Sequence, residues 1–323
     1  MFHLIFLLLF MESSLIEKYN KEEVIISNPI VFKQKLIQLK KDGPKELDIV
    51  TDFDFTLSRK AKDKKGADST FGIIAKSPFT SKSFSDEYKA LYLKYSPIER
   101  DQSIPFQEKD EAMKQWWIKS LGLIAEQNLS DGQIIESINK SAFSFRHGFD
   151  FLVRIVSKIN YSVYILSAGI TSVIKCAVME ALKVKKIEPL KIISNEQRVR
   201  DDGYQYFAEP LLYVTNKNAH FSREKFPSLK KNAILMGDMI EDTMMTKCSG
   251  HKCVLSIGYC NIIEGDTTSL EDFKKHFDIV LKGEGSLIHI VMLLGYIAGD
   301  IDFNSTYLKF DSHSLLKEVL ATL

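Results

Sequence analysis

Six short apolar runs punctuate the chain, each closing on small or polar residues: LDIVTD (47–52), YSVYILSAG (161–169), LKIISN (190–195), NAILMGD (232–238), KCVLSIG (252–258) and FDIVL (277–281). Runs this short, apolar without strict alternation, read as strands buried on both faces. Helical patterns alternate with them: GFDFLVRIVSKIN precedes the second run, ITSVIKCAVMEALKVK follows it, and EDTMMTKCS follows the fourth. Strand–helix alternation of this kind predicts an α/β fold with a doubly wound, mainly parallel sheet. Ligands of such sheets gather outside the carboxyl ends of the strands. The polar signatures DFD, SAG and GD all fall there.

The alternation breaks between residues 59 and 145, where FSDEYKALYLKYSPIERD and EKDEAMKQWWIKSLGLIAEQN read as helices and Ser130-Asp131 opens a third. A helical block inserted straight after the first strand predicts a cap, residues 59–145, over a discontinuous core made of 1–58 and 146–323. Segment 196–216, with the turn signal DDG and alternating aromatics, reads as a hairpin. The termini, 1–24 and 297–323, lie outside the pattern; the second reads as a terminal helix or a tail.

The first run ends unlike a strand. Asp52 and Asp54 arrive two residues apart in DFDFT, where two carboxylates repel and are costly to desolvate. If Asp238 reaches the same sheet edge, a hard cation such as Mg2+ would relieve that repulsion, since it takes oxygen ligands. An aspartate is also a nucleophile for phosphoryl transfer, and a carboxyl two residues on can protonate the leaving oxygen and activate water. Ser167 with Ala168 and Gly169 offers a hydroxyl and close backbone N–H groups to phosphate oxygens. Lys217 would neutralise developing charge. Each signature alone is weak, since Asp-x-Asp is usually a turn and SAG a small-residue bend. Their order along the chain points to phosphoryl transfer.

Composition adds exclusions. With 43 basic and 42 acidic residues, a net charge of +1 gives no field to hold the chain on a nucleic acid polymer or an anionic membrane. Cys176, Cys248, Cys253 and Cys260 have no zinc spacing and read as free thiols in a reducing compartment. The apolar run Leu4–Phe10 is too short to span a bilayer and lacks a basic n-region and a clear cleavage site. A cytoplasmic monomer is therefore expected, with a secretory signal left open.

The ordered set DxDxT, Ser, Lys, GDxxxD resembles the haloacid dehalogenase superfamily. TDFDFTLSR, PIERD, MKQWWIKSLGL, HGFDFL, ILSAGI, KIISN, NKNA, ILMGD, IGY and FDIVL, in that order, resemble the type III cytosolic 5'-nucleotidases, also known as pyrimidine 5'-nucleotidases, over roughly residues 25–290. The resemblance implies a Mg2+-dependent 5'-nucleotidase that forms an aspartyl-phosphate. Asp52 would be nucleophile and metal ligand, Asp54 acid/base and a metal ligand through its carbonyl, Asp238 the third ligand, and Asp242 the outer carboxylate. Ser167 and Ala168 would form the phosphate turn and Lys217 the phosphate lysine; Glu99 and Ser120 would contact the nucleoside, with Trp116 and Trp117 close by. It further implies pyrimidine monophosphates as substrates, with 7-methylguanosine monophosphate and phosphotransfer to a second nucleoside both open. The chain departs from the family pattern at Met239 and at Glu241, where a glycine is usual, so strain and extra negative charge are expected beside Asp242. The rival readings are a small-metabolite phosphatase of the same fold and a non-catalytic nucleotide-binding protein.

Overall fold

The structure, a computed structural model, describes residues 24–60, 68–101, 103–187, 189–261, 269–282 and 285–299. Strand β1 (Val24–Ile26) precedes helix α1 (Pro29–Asp42), and β2 (Leu47–Thr51) follows. Four helices then intervene: α2 (Thr70–Ala75), α3 (Lys82–Arg100), α4 (Phe106–Glu126) and α5 (Asp131–Lys140). Helix α6 (Phe149–Ile159) leads into β3 (Ser162–Ile170), α7 (Thr171–Leu182) and β4 (Leu190–Asn195). A hairpin of β5 (Gln197–Val199) and β6 (Gln205–Phe207) comes next, then the single turn α8 (Lys217–His220) and β7 (Asn232–Gly237). The chain ends with β8 (Cys253–Cys260), α9 (Leu270–His276), β9 (Ile279–Lys282) and α10 (Ile288–Ala298).

All six expected strands form, and the expected hairpin forms within 196–216. Among the described residues, seven strands make one sheet in the order β1-β9-β8-β7-β2-β3-β4. Every pairing is parallel except that of β1 with β9 at the edge. The core is a doubly wound α/β sheet, as the alternation predicts. Strand β2 is an interior strand, all five of its residues buried, paired with β3 on one side and β7 on the other. The sheet order reverses at β2, so its carboxyl end opens at the topological switch point.

The strand and helix β1 and α1 carried no expectation; Asn28 caps α1 by accepting from the Ile30 and Val31 amides, and Pro29 fills its first turn. Ser130 opens α5 with a capping box shared with Gln133. The expected α-helix EDTMMTKCS is instead a 3-10 segment, Ile240–Thr246. The Asp242 carboxylate draws the Asp238 and Met239 amides to itself, and the Asp242 amide closes a short turn onto the Met239 carbonyl. Competition from that side chain favours the tighter ladder. Glu241 brings no backbone strain: positive φ among non-glycine residues falls on Phe55, Asn128, Asn160 and Lys183.

The chain leaves for the helical insertion and returns from it side by side. Ser58 and Phe145 form an antiparallel bridge, the Arg59 amide donates to the Ser144 carbonyl at 2.9 Å, and the Arg146 amide donates to the Leu57 carbonyl at 2.9 Å. No helix among the described residues is long and apolar enough to cross a membrane. The segments 1–23 and 300–323, including the Leu4–Phe10 run and most of the expected tail, lie outside the described residues.

Candidate active site

The loop after β2 carries the first carboxylates, and its backbone is bent to aim them. Phe55 adopts φ 62°, a conformation that costs roughly 1–3 kcal/mol for a residue with a side chain. The surroundings impose it. Ser58 Oγ accepts from the Phe55 amide at 2.8 Å, and the Phe55 carbonyl accepts from Arg146 Nη2 at 2.6 Å and from Asn261 Nδ2 at 3.0 Å. Arg146 is buried, donates to the carbonyls of Thr56 and Gly285 as well, and lies 4.1 Å over the Tyr259 ring. Spreading one guanidinium over fixed carbonyls satisfies its donors and locks the loop.

The structure brings Asp52, Asp238, Asp242 and Lys217 together. Lys217 Nζ lies 2.7 Å from Asp52 Oδ1 and 2.7 Å from Asp242 Oδ1, and all three residues are buried. The second oxygen of Asp242 accepts from the Asp238 and Met239 amides, each at 3.0 Å. Asp242 thus braces both the lysine and the turn bearing Asp238. Gly237 makes the brace possible, because a side chain there would collide with Asp242. Asp54 is held apart from this group: its two oxygens accept from the Thr70 amide at 2.8 Å and the Thr70 hydroxyl at 2.6 Å.

Beside Asp54 run Ser167, Ala168 and Gly169, which the sequence pattern places in a bend after the strand but which lie within β3, where its pairing with β4 shifts register between Leu166 and Ile170. Ser167 Oγ accepts from the Gly169 amide at 3.0 Å, while the Ala168 carbonyl accepts from Trp117 Nε1 at 2.8 Å and Asn195 Nδ2 at 2.7 Å. Any side chain at Gly169 would strike the Thr70 hydroxyl, so only glycine lets this end of β3 approach Asp54. Thr70, Arg146, Asn195 and Asn261 are supporting residues that the sequence reading missed. Asn195 ends LKIISN and Asn261 directly follows β8, both at a strand's carboxyl end, which is a usable signal; Thr70 and Arg146 carry no such signal.

Burial among like charges shifts these groups. Burial first, then the charges of Asp242 and Asp238, push Asp52 well above the carboxylate range, against the pull of Lys217. Burial and Asp242 push Asp238 up to about 7. Burial also lifts Asp54 to about 6, although its bonds from Thr70 oppose the rise. Burial opposes charge on Lys217 too, but Asp242 and Asp52 outweigh it and keep the ammonium charged.

The residues fit a hard cation. Asp52, Asp238 and Asp242 each place an oxygen within 4.8 Å of the others. Asp238 is the carboxylate in need of compensation: its contacts from Thr56 Oγ1 and Asn261 Nδ2 are long, at 3.4 and 3.5 Å. Linkage gives a test without turnover. Groups whose folded pKa is raised stabilise below the unfolded pKa, and that stability is lost as pH rises through the folded value. Asp54 and Asp238 titrate up to about 6 and about 7, so the metal-free protein loses stability across that window. Mg2+ should therefore raise Tm clearly at about pH 8 and little at about pH 5, where protons compete for its ligands. Equal shifts at both would contradict the assignment.

The helical insertion holds an aromatic wall that reaches this edge at Trp117, whose Nε1 donates to the Ala168 carbonyl. Trp116 stacks on Tyr95 and meets Tyr92 edge-on, with centroids 5.9 and 6.2 Å away, and Trp117 packs edge-on against Phe71. Ser120 is buried, and its hydroxyl has no hydrogen-bond partner among the described residues. Glu99 lies at the end of α3, half-buried; burial first, then Glu241 and Asp238, lift it to about 7 against the pull of Arg100 and Lys109. Its response to Asp238 brings this expected cap residue into the electrostatic neighbourhood of the carboxylates.

Residues 55–298 match the family model described as pyrimidine 5'-nucleotidase (UMPH-1). The human 7-methylguanosine phosphate-specific 5'-nucleotidase is 30% identical over 284 residues, covering 86% of this chain and 93% of that protein. The putative cytosolic 5'-nucleotidase 3 of Caenorhabditis elegans is 26% identical over 269 residues, covering 81% and 72%. Among solved structures, cytosolic 5'-nucleotidase IIIB bound to cytidine superposes with a TM-score of 0.76 at 24% identity, covering 90% of this chain and 98% of that one. That likeness extends the fold across core and helical insertion alike.

Proposed function

The chain belongs to the pyrimidine 5'-nucleotidase family, and from that premise we propose that it hydrolyses nucleoside 5'-monophosphates to nucleoside and phosphate through an aspartyl-phosphate on Asp52. The observation that carries this reading is the division of the two aspartates. Asp52 lies against Lys217 at 2.7 Å, while Asp54 stands off on Thr70. Asp52 Oδ attacks phosphorus in line, and Lys217 neutralises charge on the phosphoryl oxygens. Asp54, lifted to about 6, protonates the departing 5'-oxygen and then takes a proton from the water that hydrolyses the acyl phosphate. Ser167 and Ala168 hold the phosphate. Asp52, Asp238 and the Asp54 carbonyl would hold Mg2+, which would supply positive charge to offset these carboxylates and the transferring phosphoryl group, and Asp242 holds the surrounding turn.

In this reading residues 59–145 form the cap over a core of 1–58 and 146–323, and the cap selects the nucleoside. Ser120 offers a hydroxyl and Glu99 a carboxyl beside the aromatic wall. Pyrimidine monophosphates follow from the family. A second reading, 7-methylguanosine monophosphate, is supported by the human relative named for it and by the Glu99 carboxyl, because a cationic base gains from a nearby carboxylate. A nucleoside taking the place of water would give phosphotransfer.

A panel of pyrimidine, 7-methylguanosine, purine and amino-acid phosphates, assayed with Mg2+ for phosphate release, tests the reading. Nucleotides should lead the panel; phosphoserine in the lead would establish the metabolite-phosphatase rival, and no release from any would support the non-catalytic one. Glu99→Ala should cost the preferred nucleotide about 10–100-fold in kcat/KM, the worth of a charge-assisted hydrogen bond. It should flatten the base ranking while sparing a base-free phosphate. An unchanged ranking would remove Glu99 from base recognition.

A further inference from the structure

Three polar contacts of helix α4 with the core each land beside a residue of the reacting edge. Lys109 Nζ lies 2.9 Å from Glu241 Oε1, and Glu241 directly precedes Asp242. Asp110 Oδ1 accepts from Thr215 Oγ1 at 2.6 Å, two residues before Lys217. Two helical turns on, Trp117 Nε1 donates to the carbonyl of Ala168, next to Ser167. The ion pair is the charged member of the seam, with side-chain exposures of only 5% and 13%.

We propose that the Lys109–Glu241 pair is a latch that couples closure of the cap to the seating of the Asp238–Asp242 turn. Glu241 is thereby a positioning residue for the phosphate-transfer reaction, and the inference rests on the reading of the site given above. Glu241 adds a fourth carboxylate to an edge already holding Asp52, Asp238 and Asp242. An ammonium delivered by the cap offsets that charge, so the closed arrangement is favoured where the turn is correctly placed. A buried pair gains in Coulomb energy about what it costs in desolvation, so a latch of this kind holds the closed cap and still releases product. Loss of one partner removes the matching charge from a dry seam, whereas loss of both removes the mismatch along with the pair.

The chain carries its own reporter. Its two tryptophans, Trp116 and Trp117, both lie on α4 and are 7% and 8% exposed. Opening the seam wets the indoles and moves their emission to the red. The test compares K109M, E241M and K109M/E241M by tryptophan emission without substrate, by Tm, and by kcat/KM on the best nucleotide. Each single variant should shift emission to the red and lower kcat/KM at least about tenfold, while the double variant recovers most of both losses. K109R keeps the charge and should keep the wild-type emission, which guards against a fold defect specific to methionine in the seam. Single variants with wild-type emission and turnover would overturn the latch, as would a double variant carrying the summed losses, or K109R shifted as far as K109M. A wild-type protein that cleaves no nucleotide would instead defeat the functional reading, and the emission comparison would still decide the latch.

Discussion

Asp52→Asn is expected to abolish nucleotide hydrolysis, by about 10⁴-fold or more, the scale on which a covalent hydrolase loses its nucleophile. An amide keeps the shape of the side chain but neither attacks phosphorus nor binds a hard cation well. The fold should survive the change. Lys217 keeps its 2.7 Å contact with Asp242, and the variant removes one charge from a crowded, buried edge where burial and two like charges already disfavour it. Tm equal to or above that of the wild type, measured without metal, should accompany the lost activity. An inactive but destabilised variant would point to a structural role for Asp52, and near-normal turnover would end the covalent mechanism.

Asp54→Asn should lower turnover by about 10²–10⁴-fold, the usual worth of a positioned acid and base. The loss depends on the leaving group, which makes it diagnostic. A nucleoside leaves as an alkoxide that must be protonated, whereas an aryl phosphate leaves as a stable phenoxide. The aryl ester should therefore retain far more activity in this variant, at least where formation of the phospho-enzyme limits the rate. Thr70 holds both Asp54 oxygens in place, and its hydroxyl can turn to accept from an amide, so the side chain should stay where it is. Equal losses on both substrates would remove the acid role.

The central sheet was legible because buried parallel strands are written as unbroken apolar runs, and all six such runs became strands. The carboxylates were legible for the same reason: Asp52 and Asp238 interrupt those runs at the carboxyl end, where a polar residue has no packing function. What escaped was support supplied from a distance. Thr70 reaches Asp54 from the far side of residues 61–67, and Arg146 braces the Phe55 turn from 91 residues away in sequence. Neither position carries a periodic signature, because its partner is a backbone group or a side chain brought near only by folding. EDTMMTKCS carries a helical pattern, but its 3-10 form at Ile240–Thr246 is not legible for a related reason, since composition does not register the competition of the Asp242 carboxylate for its own turn. Glu241 was read as a source of strain and charge. Its backbone lies outside the left-handed region, and its charge meets Lys109 across a seam that spans 132 residues of sequence.

The central claim is that phosphate passes through Asp52. The most direct measurement is rapid acid quench of the Mg2+-loaded enzyme turning over its best nucleotide, followed by mass analysis of its peptides. The account predicts a phosphoryl group on the peptide containing Asp52, acid-stable and hydroxylamine-labile as an acyl phosphate should be, rising in Asp54→Asn as the water step slows and absent in Asp52→Asn. Turnover by the wild type and by Asp54→Asn with no phosphorylated peptide, or with phosphate on any residue other than Asp52, would contradict it.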